Sequence, residues 1–524
     1  MKIRKGSVYI QDWMRFHPIT KQSTCDSYYL GLSKEVFKLL QNDEYESLIS
    51  GLDDDDLKDF ACFLTCYLED IISKTGIWQA FTSAHFELYN KYLPFYKLDE
   101  YYHDEINPQD IQFLIWYFIN GKFLEEYLSP VDKLLLELSY EIYEIFDREF
   151  ETAPENMKLK SFISISPTET NYYKVRNLMD WIFISSYLFH FQEYEFEAEM
   201  ENIIKENDEN VLRNLEAVGD DYRDYLSTSK PSSLLAYRGN HWLARVLGKN
   251  HPLYEQIFNL EKRIIGFFIY KGEEEKNIIL QHIATDKIIK VTKKSIDVMS
   301  DFKVGKTIIL INLMKWNDEW WFSGSYTTRI YDEKFIKEEK QSTASQKLFI
   351  EDSSVFSATI EREYFSFLKY NNNKQIAFCE NVSKLNDFIN GFLQFHHSSI
   401  NTNVGIAGNA DEKMKEFKLN TEGLPEDFEQ TNGIVFYDRK EGMSVILELS
   451  DAIPDESNTS YNSDSKADIL DYIYSPYCKP GTVKFLAEKY PVLIEKYEKN
   501  THEHTIAENL DFLLRFKKYE MYDN

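Results

Sequence analysis

Ile264-Ile265-Gly266-Phe267-Phe268-Ile269-Tyr270 is the stretch that decides how this chain is read, because it is the first of five short runs rich in β-branched and aromatic residues. The others occupy residues 277–283, 287–292, 306–315 and 320–327. Between them stand Gly272, Thr285-Asp286, Val304-Gly305 and Asn317-Asp318, residue types that reverse a chain because they tolerate positive φ or bond their own backbone. Five strands at this spacing predict a small five-stranded β-barrel of the OB or SH3-like kind. Successive strand side chains point to opposite faces, and residues 265–269 and 307–311 are apolar at successive positions. The outside of the barrel is therefore expected to be covered as well, by a neighbouring domain.

On the amino-terminal side the apolar period is helical. Asp56-Leu57-Lys58-Asp59-Phe60-Ala61 opens a helix in which Phe60, Phe63, Leu64, Tyr67, Leu68 and Ile71 recur at three and four, with Gly76 after its end. A single wet face is expected there. Asn107-Pro108-Gln109-Asp110 supplies an N-cap, a proline at the first helical position and an acid in the first turn for a helix over 111–128, whose lack of a polar face puts it at the centre of a bundle. Residues 134–146, 175–191 and 195–215 continue the pattern. On the carboxy-terminal side come a charged helical connector (333–346), a strand (375–379), a helix (382–395), a hairpin of 433–437 with 443–447, and helices over 467–474, 481–488 and 507–519. Residues 401–412 and 455–465 are polar loops, the first expected to be mobile. The expected class is a multidomain α+β protein: a helical domain over 1–260, the small β-barrel over 261–330, and an α+β domain with closing helices over 331–524.

The chain of 524 residues has a net charge of −28, whereas residues 262–329 hold twelve basic against eight acidic residues. Such a negative field repels phosphate backbones except where a local basic surface overrides it. The 5 cysteines form no Cys-x-x-Cys pair and read as reduced thiols of a cytoplasmic protein. Met1-Lys2-Ile3-Arg4-Lys5 runs into Gln11, Asp12 and Arg15 without an apolar core, so no signal peptide is expected. The longest apolar stretches, 111–119 and 181–191, fall short of the roughly 18 residues of a membrane span.

Several segments, in order along the chain, resemble an uncharacterised family of Bacteroidetes proteins, a domain of unknown function. They are Gly76-Ile77-Trp78-Gln79-Ala80-Phe81, Tyr92-Leu93-Pro94-Phe95-Tyr96, Asp104-Glu105-Ile106-Asn107 with Phe113-Leu114-Ile115-Trp116, Thr152-Ala153-Pro154-Glu155-Asn156, His282-Ile283-Ala284-Thr285 with Lys290 to Ser295, and Glu319-Trp320-Trp321-Phe322-Ser323-Gly324. The resemblance implies a bacterial cytoplasmic protein and brings no catalytic or binding role onto these positions.

Few patterns carry chemistry. Asp53-Asp54-Asp55-Asp56 offers the oxygen donors that Ca²⁺ and Mg²⁺ prefer, but acids gathered where a helix begins complement its dipole, and that reading is preferred. Cys62 and Cys66 share a helical face without a second Cys or His pair at ligand spacing, and read as core thiols. His396-His397 and His502-Glu503-His504 lack the His-Glu-x-x-His spacing and read as solvated. There is no Walker loop, no dinucleotide glycine fingerprint and no Gly-x-Ser-x-Gly elbow. Asp438, Lys440 and Glu448 are the ingredients of a metal-dependent nuclease, yet Asp438-Arg439-Lys440-Glu441-Gly442 is what a charged hairpin turn looks like. No cofactor and no metal are expected.

The remaining candidate surface is on the barrel. Lys287, Lys290, Lys293 and Lys294 make a basic edge, and Trp316, Trp320, Trp321 and Phe322 are the aromatic counterpart that single-strand nucleic-acid binders use for stacking. Trp320 and Trp321 must point to opposite faces, so at least one is a core residue, and four lysines are also a normal edge that discourages strand pairing. The expected function is a non-enzymatic interaction or scaffold protein with a protein partner. The alternative is a nucleic-acid-associated protein that binds through Lys287, Lys290, Lys293, Lys294, Trp316 and Trp321, with an uncharted carboxy-terminal nuclease.

Overall fold

A computed structural model describes residues 6–19, 21–123, 127–205, 215–296, 302–349, 353–404, 417–419 and 426–522. The chain forms two compact units, Met1–Phe349 and Ile350–Asp523. No helix among the described residues is long and apolar enough to cross a membrane.

The first unit begins with helices α1 (Ile10–Met14), α2 (Thr24–Leu40), α3 (Glu46–Ile49) and α4 (Asp54–Ser73). The acidic run is the start of α4: Asp53 accepts from the amides of Asp55 and Asp56, and Asp56 reaches back to the Asp53 amide. Beyond that cap the expected wet face is missing. Every residue from Asp59 to Ile71 is buried, because α1, α2 and the later helices α5 (Ile77–Tyr89), α6 (Pro108–Lys122), α7 (Lys133–Phe150) and α8 (Met157–Ile163) all pack on α4. α6 is buried from Asp110 to Asn120 as its composition demands, but it ends at Lys122 rather than near 128. The stop is tertiary: Leu128 folds back, its amide donating to Asn120 Oδ1 and its carbonyl accepting from Trp116 Nε1 at 2.9 Å.

The helix expected over 175–191 is broken. α9 (Tyr172–Asp180) passes into a π turn over Trp181–Ser185 and a 3-10 turn over Tyr187–Phe189, and α10 (Phe191–Lys205) then begins. Ser186 Oγ donates to the Ile182 carbonyl, a side-chain bond that competes with the helical ladder. Of the 195–215 expectation, residues 206–214 lie outside the described residues. The chain resumes in α11 (Leu215–Ser229), α12 (Gly239–Leu247) and α13 (Tyr254–Phe258).

Five strands follow: β1 (Ile264–Glu273), β2 (Asn277–His282), β3 (Ile288–Thr292), β4 (Thr307–Trp316) and β5 (Glu319–Ile330). β1 pairs antiparallel with β2 and β4, β2 with β3, and β4 with β5; a parallel bridge between Val291 and Trp320 joins β3 to β5, so the order β1-β2-β3-β5-β4 returns to β1. Asn317 and Asp318 both hold positive φ in the two-residue turn between β4 and β5. Phe268, Leu280, Ile289, Val291, Ile309 and Leu313 fill the interior. β4 is buried on both faces as expected, whereas β1 alternates and leaves Ile265 44% exposed. The difference follows from what lies outside. α11 packs on β5 and sends Asp221 to Asn312 of β4 and Asp224 to Ser323 of β5, while Arg263 meets both acids at 2.9 Å. The charged connector is two short helices, α14 (Glu333–Gln341) and α15 (Thr343–Lys347).

The second unit contains α16 (Ser353–Tyr370), β6 (Ile376–Cys379), α17 (Val382–Val404), β7 (Gly433–Asp438) and β8 (Gly442–Leu447), with the strands antiparallel in that order. Phe367, Leu385, Ile389, Val435 and Tyr437 pack between sheet and helices. α17 runs past the expected end at 395; of the polar segment 401–412, residues 405–412 lie outside the described residues. The 455–465 loop is pinned by Asn458, whose amide donates to the carbonyls of Ser450 and Ile453. Helices α18 (Ile469–Tyr474), α19 (Pro480–Lys489), α20 (Val492–Thr501) and α21 (Ile506–Lys517) close the chain.

Candidate functional site

The lysines singled out from the sequence do share one edge of the five-stranded ring, but each already has a counterpart. Lys290 lies 2.8 Å from Glu274, Lys293 2.7 Å from Glu273 and Lys294 2.8 Å from Glu319, while Lys287 sits 4.3 Å from the centre of the Phe349 ring. The expected aromatic surface is not there. Trp316 and Trp321 are each 1% exposed, because Trp316 belongs to the doubly covered β4 and Trp321 turns toward Tyr172 and Tyr173 of α9. Trp320 and Phe322 pack against the interior of the ring. The structure thus gathers the lysines without the rings, as a mixed-charge edge in which cations face carboxylates.

The other sequence candidates separate in the same way. Asp438 Oδ1 accepts from the amides of Lys440 and Glu441, the bonding of a hairpin turn. Glu448 follows the far end of β8, where its amide donates to the Asn432 carbonyl, about 20 Å of strand away from Asp438. His397, His502 and His504 are exposed and His396 is half-buried. A cavity of about 590 Å³ is lined by Gly51, Lys122, Phe123, Tyr127 and Asp132, among others, with Lys122 held 2.5 Å from Asp56.

A group that local spacing could not announce lies in the helical part. Cys66 and Glu69 are three residues apart on one face of α4, and His17 reaches them from the turn after α1. That turn is fixed by Arg15, whose guanidinium meets Asp59, Glu193 and Glu197 at 2.8–3.1 Å. His17 Nδ1 lies 3.0 Å from the Trp13 carbonyl and Nε2 lies 2.7 Å from Glu69 Oε2. The second oxygen of Glu69 accepts from Asn156 Nδ2 at 2.9 Å, and Asn156 is itself fixed as the N-cap of α8 and by its amide bond to Ser73 Oγ. A donor atom of each of His17, Cys66 and Glu69 lies within 4.8 Å of the other two. The side chains of His17 and Glu69 are 4% and 2% exposed. Burial alone pushes the imidazole pKa down, but the charge and hydrogen bond of Glu69 outweigh it and the net shift is upward. The Cys66 thiol is pushed well up, first by burial and then by Glu69, so on its own it is a protonated thiol and a poor nucleophile.

One turn along α4 a second polar network ties helices together. Asp70 accepts from the amides of Gly76 and Trp78 and from Tyr187 Oη, shaping the α4–α5 turn in which Lys74 and Gly76 hold positive φ. Asp110, fully buried, accepts from Tyr67 Oη at 2.6 Å and Asn107 Nδ2 at 2.9 Å, and Tyr101 bridges it to Trp78 Nε1. Burial raises Asp110 to about 7 against the pull of these donors.

Residues 7–308 match the family model described as a protein of unknown function (DUF3843), more than half of the chain. The chain belongs to this family. No curated protein and no solved structure matches it. The DUF3843 match starts ahead of α1 and ends inside β4, so it takes in His17, Cys66, Glu69 and Asn156 as well as the lysine edge. It leaves out β5 and the whole second unit.

Proposed function

We propose that this DUF3843 chain is a non-enzymatic protein-interaction or scaffold protein of the bacterial cytoplasm. In this reading it is built as a helical domain (1–260), a five-stranded OB-type barrel (261–330) and an α+β domain with closing helices (331–524). The observation that carries the reading is the end of the ring where β4 begins and β5 ends: Ile330 is 85% exposed, Val304 62% and Tyr331 41%. Exposed aliphatic and aromatic side chains on an element whose lysines face glutamates suit a protein surface better than a phosphate backbone, which calls for uncompensated cations. Closure of the ring through parallel β3 and β5 supports the OB assignment. Free thiols at Cys25, Cys62, Cys66, Cys379 and Cys478 support a reducing compartment.

The test is affinity capture from the native cell with and without nuclease treatment, using wild type, Val304→Asp with Ile330→Asp, and Lys290→Glu with Lys293→Glu. The expected result is a protein partner that survives nuclease and is lost only with the aspartate pair. Copurifying nucleic acid that is lost with the glutamate pair, together with oligonucleotide binding that falls steeply with salt, would overturn the reading in favour of a nucleic-acid role for the lysine edge.

A further inference from the structure

We propose that His17, Cys66 and Glu69 form a binding site for a single zinc-class divalent cation, which clips the segment after α1 to the face of α4. The donors are one imidazole nitrogen, one thiol sulfur and one carboxylate oxygen, with a donor atom of each within 4.8 Å of the other two. This mixture is the zinc set; Ca²⁺ and Mg²⁺ take oxygen ligands and do not favour a thiolate. Two features mark a built site rather than a chance meeting of side chains. His17 Nδ1 lies 3.0 Å from the Trp13 carbonyl, the outer bond that commits Nε2 to face the centre. Glu69 Oε1 is held by Asn156 Nδ2 at 2.9 Å, which leaves Oε2 as the inward oxygen.

The His17–Glu69 pair needs little movement, and Cys66 Sγ, within 4.8 Å of both other donors, must close to the roughly 3.5 Å that tetrahedral zinc sets between a sulfur and a nitrogen or oxygen ligand. His17 Nε2 and Glu69 Oε2 stand 2.7 Å apart, and tetrahedral zinc with bonds near 2.0 Å separates such donors by about 3.3 Å, so the pair must part by roughly half an ångström. The exchange balances in charge. Without metal the centre holds one carboxylate, one thiol proton and the second proton of the His17–Glu69 pair; when the dication enters, both protons leave to solvent and the net charge of the buried centre is unchanged. Among the described residues no fourth His, Cys, Asp or Glu joins the cluster, so the fourth position falls to water or to a donor brought by a ligand.

The test uses the full chain stripped of metal and titrated with Co²⁺ and Zn²⁺. Expected are one equivalent bound, a thiolate-to-cobalt charge-transfer band that zinc abolishes, and a rise in melting temperature with zinc. The band should vanish in Cys66→Ser and persist in Cys62→Ser. Asn156→Ser keeps a capping oxygen for α8 but loses the amide donor, and should weaken zinc binding about 10- to 100-fold. X-ray absorption of zinc-loaded wild type should show one sulfur at about 2.3 Å and nitrogen or oxygen neighbours at about 2.0 Å. That measurement decides the matter even where Cys66→Ser does not fold. No saturable binding, a zinc environment without sulfur, or a cobalt band that survives in folded Cys66→Ser each overturns the site.

Discussion

Replacing Tyr67 with Phe removes one hydroxyl from the interior of the first unit, and its cost should depend on pH. Tyr67 Oη donates to Asp110 Oδ2 at 2.6 Å, and Asp110 is fully buried with its pKa raised by burial to about 7. When unfolded the same carboxyl titrates near about 3.9, so between these values the folded state binds more protons. Stability therefore falls as pH rises across that window and levels off above it, a total of roughly 4 kcal/mol from this group alone. Above the window Asp110 is an anion, and Tyr67→Phe takes away a charge-assisted donor worth about 2 kcal/mol. Below about 7, pH 5 included, the folded carboxyl is protonated and the loss is that of a neutral hydrogen bond, about 1 kcal/mol. The difference of about 1 kcal/mol moves the levelling-off point up by about 0.7 pH unit. Urea unfolding followed by tryptophan fluorescence at pH 5 and pH 8, with hydrogen exchange over residues 54–73 and 108–122, measures both quantities. An equal loss at the two pH values, or a larger one at pH 5, would refute the account of Asp110 as the buried acid that Tyr67 holds.

Two other substitutions probe distinct elements. Asp53→Ala removes the side chain that accepts from the Asp55 and Asp56 amides and should cost about 1 kcal/mol, while Asp53→Ser should cost a few tenths, read as midpoint shifts in urea. Arg263→Met leaves Asp221 without its guanidinium partner and Asp224, which is also reached by Arg176, with less compensation. About 3 kcal/mol should be lost, and part should return in the double change Arg263→Met with Asp221→Leu, measured by thermal melting.

The strands were legible because their signals are local: runs of Val, Ile and aromatic residues, with Gly272 and Asn317-Asp318 at the reversals, mark both the elements and their ends. The cap of α6 was legible for the same reason, since Asn107 acts within three residues of itself; α4 was expected to open at Asp56, and its capping residue is Asp53. The end of α6 was not, because what stops it is Leu128 returning to Asn120 and Trp116. The break at Ser186 turns on which carbonyl one hydroxyl chooses. The site fared likewise. Cys66 invited comparison with Cys62, its neighbour on the helix, but the residue it meets is His17, brought in by the chain path after α1. The lysine edge looked free because its glutamates come from the β1–β2 connection and the start of β5. The run Glu273-Glu274-Glu275, read against the β2–β3 register, was the signal that pointed to them.

The ring closes through a single parallel bridge, Val291 to Trp320, while its other seams are full ladders. That thin seam is fastened from several directions. Lys294 and Glu319 span it with an ion pair, Ser295 Oγ accepts from the Phe322 amide, and the hydroxyl of Tyr173 on α9 is shared between the carbonyls of Ser295 and Phe322. A lysine placed as if to meet phosphate thus serves as a latch, and a tyrosine from another element as a rivet. Closure is in this sense partly borrowed: the strands carry the curvature and two of the fastenings, and the helical part adds the third, so residues 261–330 excised from the chain would lose the Tyr173 rivet and hold the β3–β5 joint more weakly, with two strand edges easier to expose.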